Sequence, residues 1–175
     1  MTILSVKEFA ERVEQLSQTE SGRRPKTKAV LNQAVADLVV ARTIIHQIHW
    51  YMRGRGFLHL HPFMDTLIDA ISEHLDELSE RLITLGGFPY STLGEFLDVT
   101  TLVEVKGDYD RSVQDHIERL IAVYSQLANL FQVGLDVTDE EGDDPSNGLF
   151  ADAQGEVEKN IWQLQAELGQ APGLY

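Results

Sequence analysis

Cysteine is absent from the 175 residues. Disulfides, thiolate nucleophiles and Cys-based zinc sites are therefore excluded, and any metal must be held by His, Asp and Glu. Cations are scarce as well: 14 Lys and Arg stand against 28 Asp and Glu, a formal net charge of -14. That balance argues against a broad basic face for nucleic acid and suits a protein that attracts cations. The opening stretch MTILSVKEFAERVEQL has no continuous apolar run, so it reads neither as a signal peptide nor as a membrane span, and a cytoplasmic protein is expected. A phosphate-binding glycine loop, a dinucleotide fingerprint and a nucleophile with an adjacent base are missing too, which leaves hydrolase and nucleotide-binding readings without support. What remains is ordinary globular composition, 43% hydrophobic, at a length that suits one domain.

Helical spacing accounts for the apolar residues, and no strand pattern competes with it. Val6, Phe9, Ala10, Val13 and Leu16 predict a short amphipathic helix, with Ser5 and Glu8 in capping-box positions. SQTESGRRPK then reads as a linker, which sets residues 1–26 apart as an N-terminal arm from a bundle over 27–175. A long helix is expected from Thr27 to about Met52, ended by RGRG. A second is expected from Pro62, at its first turn, to about Leu85. STLGEF predicts a short helix in the connection, with Ser91 as N-cap. Further helices are expected from about Asp108 to Gly134 and from Gly148 to Gly169, separated by the acidic loop DVTDEEGDDPSNG. Four long helices with a longer link between the second and third describe a four-helix bundle with a crossover.

The stretch HQIHWYMRGRGFLHLHPFMD, residues 46–65, concentrates four of the six histidines around one helix break. His61 with Asp65, and Asp76 with Glu80, are i, i+4 pairs on the second long helix. At 100 degrees per residue Asp76 lies about 20 degrees round from Asp65 and Glu80 about 60 degrees, so the four side chains form one stripe beside the apolar face. Asp65 and Asp76 are nevertheless about 16 Å apart along the axis, too far to share an ion with bonds of ~2 Å. Two copies of this helix packed antiparallel about a two-fold near Ala70 and Ile71 would bring the His61/Asp65 half of one onto the Asp76/Glu80 half of the other. His49, close to the break, can join His61 from the same subunit. Two imidazoles and three carboxylates without sulfur suit iron or zinc better than calcium. The alternative reading is structural, with histidines satisfied in the core and acids solvated on a helix face. His46, His59, His74 and His116 have no comparable partners in the pattern and are expected at the surface or an interface. Trp50 and Tyr51 read as packing residues, although an aromatic beside a redox metal can take up an oxidising equivalent.

Taken together, HxxHW, RGxxF, HxxxD and then DxxxER with LGG, here HQIHWYMRGRGFLHLHPFMD and LDELSERLITLGG, resemble the signature of the Dps proteins, or mini-ferritins. KAVLNQAVADL, DEEGD and WQLQAELGQAP are similar to the Dps-like peroxide resistance proteins of lactic acid bacteria and streptococci. The resemblance spans residues 27–172. It implies a ferritin-like bundle assembled as a hollow homododecamer with 23 symmetry, and a ferroxidase that oxidises Fe(II), preferably with hydrogen peroxide rather than dioxygen, and stores ferric mineral. His49, His61 and Asp65 would come from one subunit and Asp76 and Glu80 from its two-fold mate, with Trp50 near the iron and zinc as a possible substitute. Consuming Fe(II) and peroxide together would protect DNA and the cell from oxidative stress.

Two further features carry open alternatives. Asp144 and Asp152 resemble the carboxylates that line the family's three-fold iron pore, where such rings focus cations; Gly148 departs from the acid that close relatives tend to place there, and helix capping with solubilising charge is the other reading. Residues 1–28 carry six cations (Lys7, Arg12, Arg23, Arg24, Lys26, Lys28) against four acids. Multiplied by assembly, these could bind DNA avidly and without sequence preference, which would place the protein at the nucleoid. Alternatively residues 5–17 dock on the shell. A DNA-binding shell with an incomplete or non-iron site is thus the alternative to the iron-oxidising enzyme.

Overall fold

The computed structural model describes residues 2–173, all-helical apart from its connections. Met1, Leu174 and Tyr175, at the outer ends of the two expected segments, lie outside the described residues. The helices are α1 (Val6–Ser17), α2 (Pro25–Tyr51), α3 (Phe57–Thr84), α4 (Leu93–Val99), α5 (Val113–Glu140) and α6 (Asp144–Glu167). α2 packs along α3 and α5 along α6, and the contact of α2 with α5 joins the two pairs into a bundle. The crossover from α3 to α5 carries α4. α2 and α5 have the length and hydropathy of a membrane span, but 78% and 72% of their apolar stretches are buried inside the bundle, as core helices are. Leu31, Leu38, Ile45, Met64, Ile71, Leu127, Phe131 and Phe150 are among the side chains that fill the centre.

Several helix ends differ from the sequence expectation. α3 starts at Phe57, five residues before Pro62, because Gly54 and Gly56 at φ 115° and 91° complete the reversal within the break. Pro62 therefore lies inside the helix and takes a donor from the turn above it. Leu58, whose carbonyl that donor would have met, is 88% exposed and open to water. α4 is capped by Thr92 rather than Ser91, in a capping box with Glu95. α5 starts at Val113 behind a Ser112/Asp115 capping box, since Asp108 sits in a turn where its side chain accepts from the Asp110 amide. The helix also runs through Gly134, where an added Cβ would come within 2.5 Å of the Phe150 ring. That glycine marks a close approach of α6, not a helix end. Most of the expected acidic loop is consequently helical: Glu141 to Asp143 make the turn, with Gly142 at φ 64°, and α6 begins at Asp144.

The N-terminal segment is not a separate arm. α1 has the expected Ser5/Glu8 capping box and packs on α2 and α5 with Phe9 and Val13 fully buried. Arg12 donates to Gln33 Oε1 at 2.6 Å and to the Val99 carbonyl at the end of α4. The Leu4 amide donates to Gln126 and the Asn129 side chain to the Leu4 carbonyl. Beneath this contact Asp37 is fully buried, which pushes its carboxyl above the usual range. It accepts from the Thr100 and Thr101 hydroxyls, the Thr101 amide and the Gln33 side chain, all of which oppose that shift. One buried carboxylate thereby ties the crossover to α2.

Candidate metal centre

The end of α2 and the first turns of α3 form one wall because the 52–56 break folds the chain back sharply. Gly56 is required at that corner: its φ is 91°, and a Cβ would meet His59 and Leu60 at 3.1 Å. The reversal stacks His49 on His61 with ring centroids 3.7 Å apart, and Phe57 covers the other side of His61 at 4.7 Å. His49 Nδ1 lies 3.5 Å from Asp65 Oδ1 and is buried without a hydrogen-bond partner. His61 Nδ1 is 3.2 Å from the His49 carbonyl oxygen. A carbonyl only accepts, so Nδ1 of His61 donates there, and in the neutral ring Nε2 keeps its lone pair, the arrangement found behind metal-ligating histidines. His49 therefore lies against both the His61 ring and the Asp65 carboxylate on one wall of the chain.

Asp76 and Glu80 do not join them. Both stand exposed further along α3, and among the described residues no three potential ligands of one chain converge to hold an ion. Trp50 is 66% exposed beside this wall, with His46 against its ring at 5.5 Å. Two of the remaining histidines are more engaged than their pattern indicated. His59 Nε2 meets Glu167 at 3.1 Å and His74 Nε2 meets Glu156 at 2.9 Å, two bridges from α3 to α6. His74 and His116 are buried, a correction to the expected surface or interface positions.

Asp144 and Asp152 are exposed on one face of α6, with Gly148 between them at four-residue steps and open space where its side chain would be. The helix N-cap is Asp143, not Asp144. Its carboxylate is fully buried and held by Arg24, Arg81 and the Ser146 hydroxyl. Sequence reasoning passed over Asp143 because its charged partners, Arg24 and Arg81, come from two distant parts of the chain. Of the six N-terminal cations, Arg12 holds Gln33 and Val99, Arg24 holds Asp143, Lys26 bridges Glu14 and Glu140, and Lys28 donates to the Ser21 carbonyl. Lys7 lies 3.7 Å from Glu11 at the surface, and Arg23 is exposed.

The ferritin-like domain model matches residues 28–174. A DNA protection during starvation protein of Streptococcus suis is 58% identical over 148 residues, 85% of this chain and 86% of its own. The chain belongs to the Dps family. Dps from Listeria monocytogenes has the same fold, with a TM-score of 0.82 at 39% identity over 87% of this chain and 97% of that one. Dps from Listeria innocua, in a crystal soaked with zinc, gives a TM-score of 0.80 at 40% identity over 83% of this chain and 98% of its own. The all-α, ferritin-like bundle with a short crossover helix thus agrees with both the sequence expectation and the solved Dps folds.

Proposed function

We propose that this Dps chain assembles as a hollow dodecamer whose intersubunit centres oxidise Fe(II), preferably with hydrogen peroxide, and retain the ferric product inside, so protecting DNA and the cytoplasm from oxidative damage. The observation that carries this reading is the buried, unpartnered His49 Nδ1 beside His61 and Asp65. A buried polar atom without a partner costs about 1–3 kcal/mol, and a cation at this place would remove that cost. His49, His61 and Asp65 bind Fe(II) from one subunit, and Asp76 and Glu80 complete the set from the two-fold mate. The relatives' name, DNA protection during starvation protein, supports the protective role.

Chemically, a pair of Fe(II) ions gives one electron each to one peroxide, whose O–O bond breaks to two hydroxides, and the ferric ions take up hydroxide as mineral with release of protons. Delivery of both electrons from one protein-held pair prevents a single Fe(II) from splitting peroxide into hydroxide and a hydroxyl radical. Trp50 stands where it can absorb a stray oxidising equivalent. Zinc suits the same donors without redox chemistry and would compete with iron; the zinc-soaked Listeria innocua relative supports that possibility. Asp144 and Asp152 serve the iron inlet, a role that their exposure and common face on α6 support. Sequence-independent DNA contact by the N-terminal segment, and with it a nucleoid location, draws on Lys7 and Arg23, because the other four cations are occupied within the chain.

The test is anaerobic addition of Fe(II) to the purified assembly, followed by hydrogen peroxide, with ferric absorbance and protein-bound iron recorded. Rapid oxidation with iron retained is expected. Oxidation no faster than in buffer, with iron lost, would leave the DNA-binding shell as the better account.

A further inference from the structure

Where the crossover meets the first turns of α5, Val103, Val105, Arg111, Arg119 and Val123 line a pocket of about 220 Å³. The chain has twice as many acids as cations, yet among the described residues neither arginine lies within ion-pair distance of a carboxylate. Arg119 Nη1 donates to Gln47 Oε1 at 2.6 Å, and Gln47 Nε2 donates to the Val105 carbonyl at 2.7 Å, which fixes the guanidinium between α2 and the crossover. The second fork nitrogen, Nη2, is buried and has no partner. One turn earlier on α5, His116 is 2% exposed with both ring nitrogens unpartnered.

We propose that this pocket binds a small tetrahedral oxyanion of the inorganic phosphate class, held by Arg111 and Arg119. A guanidinium fork pairs with two oxygens of such an anion, and the rigid fork is the donor geometry that oxyanions select. Leaving a buried N–H unmade is expensive, so the anion supplies the acceptor that Nη2 lacks. Val103, Val105 and Val123 add no competing acceptor to the lining, and Val123 is fully buried beneath it, which lowers the local dielectric and strengthens the attraction. Positive charge is concentrated here in a second way. Burial and repulsion from Arg111 and Arg119 hold His116 below the usual histidine range, with only Asp115 opposing, and burial and Arg111 likewise lower Arg119 against the pull of Glu104. The pocket shares no residue with the metal centre, and Gln47 points about 200 degrees round α2 from His49, so either assignment can fail without the other.

The full-length assembly, kept in chelator so that iron holds no phosphate, is titrated calorimetrically with inorganic phosphate at constant ionic strength. Saturable binding is expected, weakened at least tenfold in both Arg119→Gln and Arg111→Gln. If either variant fails to assemble, the His116 ring signals of the unaltered protein decide: phosphate should raise the pH midpoint of their titration, because an anion beside the arginines relieves their repulsion. No heat beyond that of chloride, binding unchanged in the variants, or a His116 midpoint indifferent to phosphate would each overturn the proposal. So would a pocket found filled by the carboxylate of a neighbouring subunit.

Discussion

His61 Nδ1 lies 3.2 Å from the His49 carbonyl oxygen, the kind of hydrogen bond that orients an imidazole for metal binding through its other nitrogen. His61→Ala should therefore lower peroxide-driven Fe(II) oxidation by at least about tenfold while leaving the assembly intact, as read from ferric absorbance and sizing. A rate within twofold of the unaltered protein would remove His61 from the site. The pairings at this scale were legible where both partners lay across one break, as with His49 and His61. They were illegible where the partner came from far along the chain. Nothing in the sequence near Asp143 announces Arg24 and Arg81, and nothing near Arg119 announces Gln47.

Helix ends and close approaches govern the next scale. Three helices start with a capping box in which Glu8, Glu95 and Asp115 accept from the backbone and side chain of Ser5, Thr92 and Ser112; these contacts, led at Glu95 by the Ser91 amide, hold each carboxyl below its usual range. For an acid whose folded pKa is lowered, the stabilisation is full above the unfolded pKa and is lost as pH falls through the folded one. Amide exchange at Ser5, Thr92 and Ser112, corrected for intrinsic rates, should therefore accelerate on acidification through and below the ordinary carboxylate range. Protection independent of pH there would contradict the capping account. Gly134→Ala should lower stability by about 1–3 kcal/mol, because the Cβ invades the space of the Phe150 ring. An unchanged melting temperature would show that α6 shifts freely. Glycine is ambiguous in sequence for that reason: Gly142 ends a helix, whereas Gly134 lets a helix continue past a neighbour. Asp37→Ala leaves the donors of Gln33, Thr100 and Thr101 without their acceptor and should destabilise by about 3 kcal/mol in denaturant unfolding.

Across the whole molecule, apolar periodicity revealed four long helices and a crossover, and the residues around HQIHW revealed the family. The docking of α1 was harder to read, since Arg12 looked like a free cation and is instead a fastener between α1, α2 and α4. Phe9→Ala should accordingly cost about 3–5 kcal/mol, the range for truncating a fully buried aromatic, which a mobile tail could not show. The central claim is that each metal centre is shared between subunits, with the chain contributing His61 and Asp65 to one centre and Asp76 and Glu80 to another. Complementation tests it most directly: His61→Ala/Asp65→Ala subunits are co-assembled with Asp76→Ala/Glu80→Ala subunits, each inactive alone, and Fe(II) oxidation by peroxide is measured. Every mixed two-fold pair regains one complete centre of its two, so random mixing should restore about a quarter of the unaltered activity. If the mixed assembly forms and remains inactive, the ligands do not meet across the two-fold and the account is wrong.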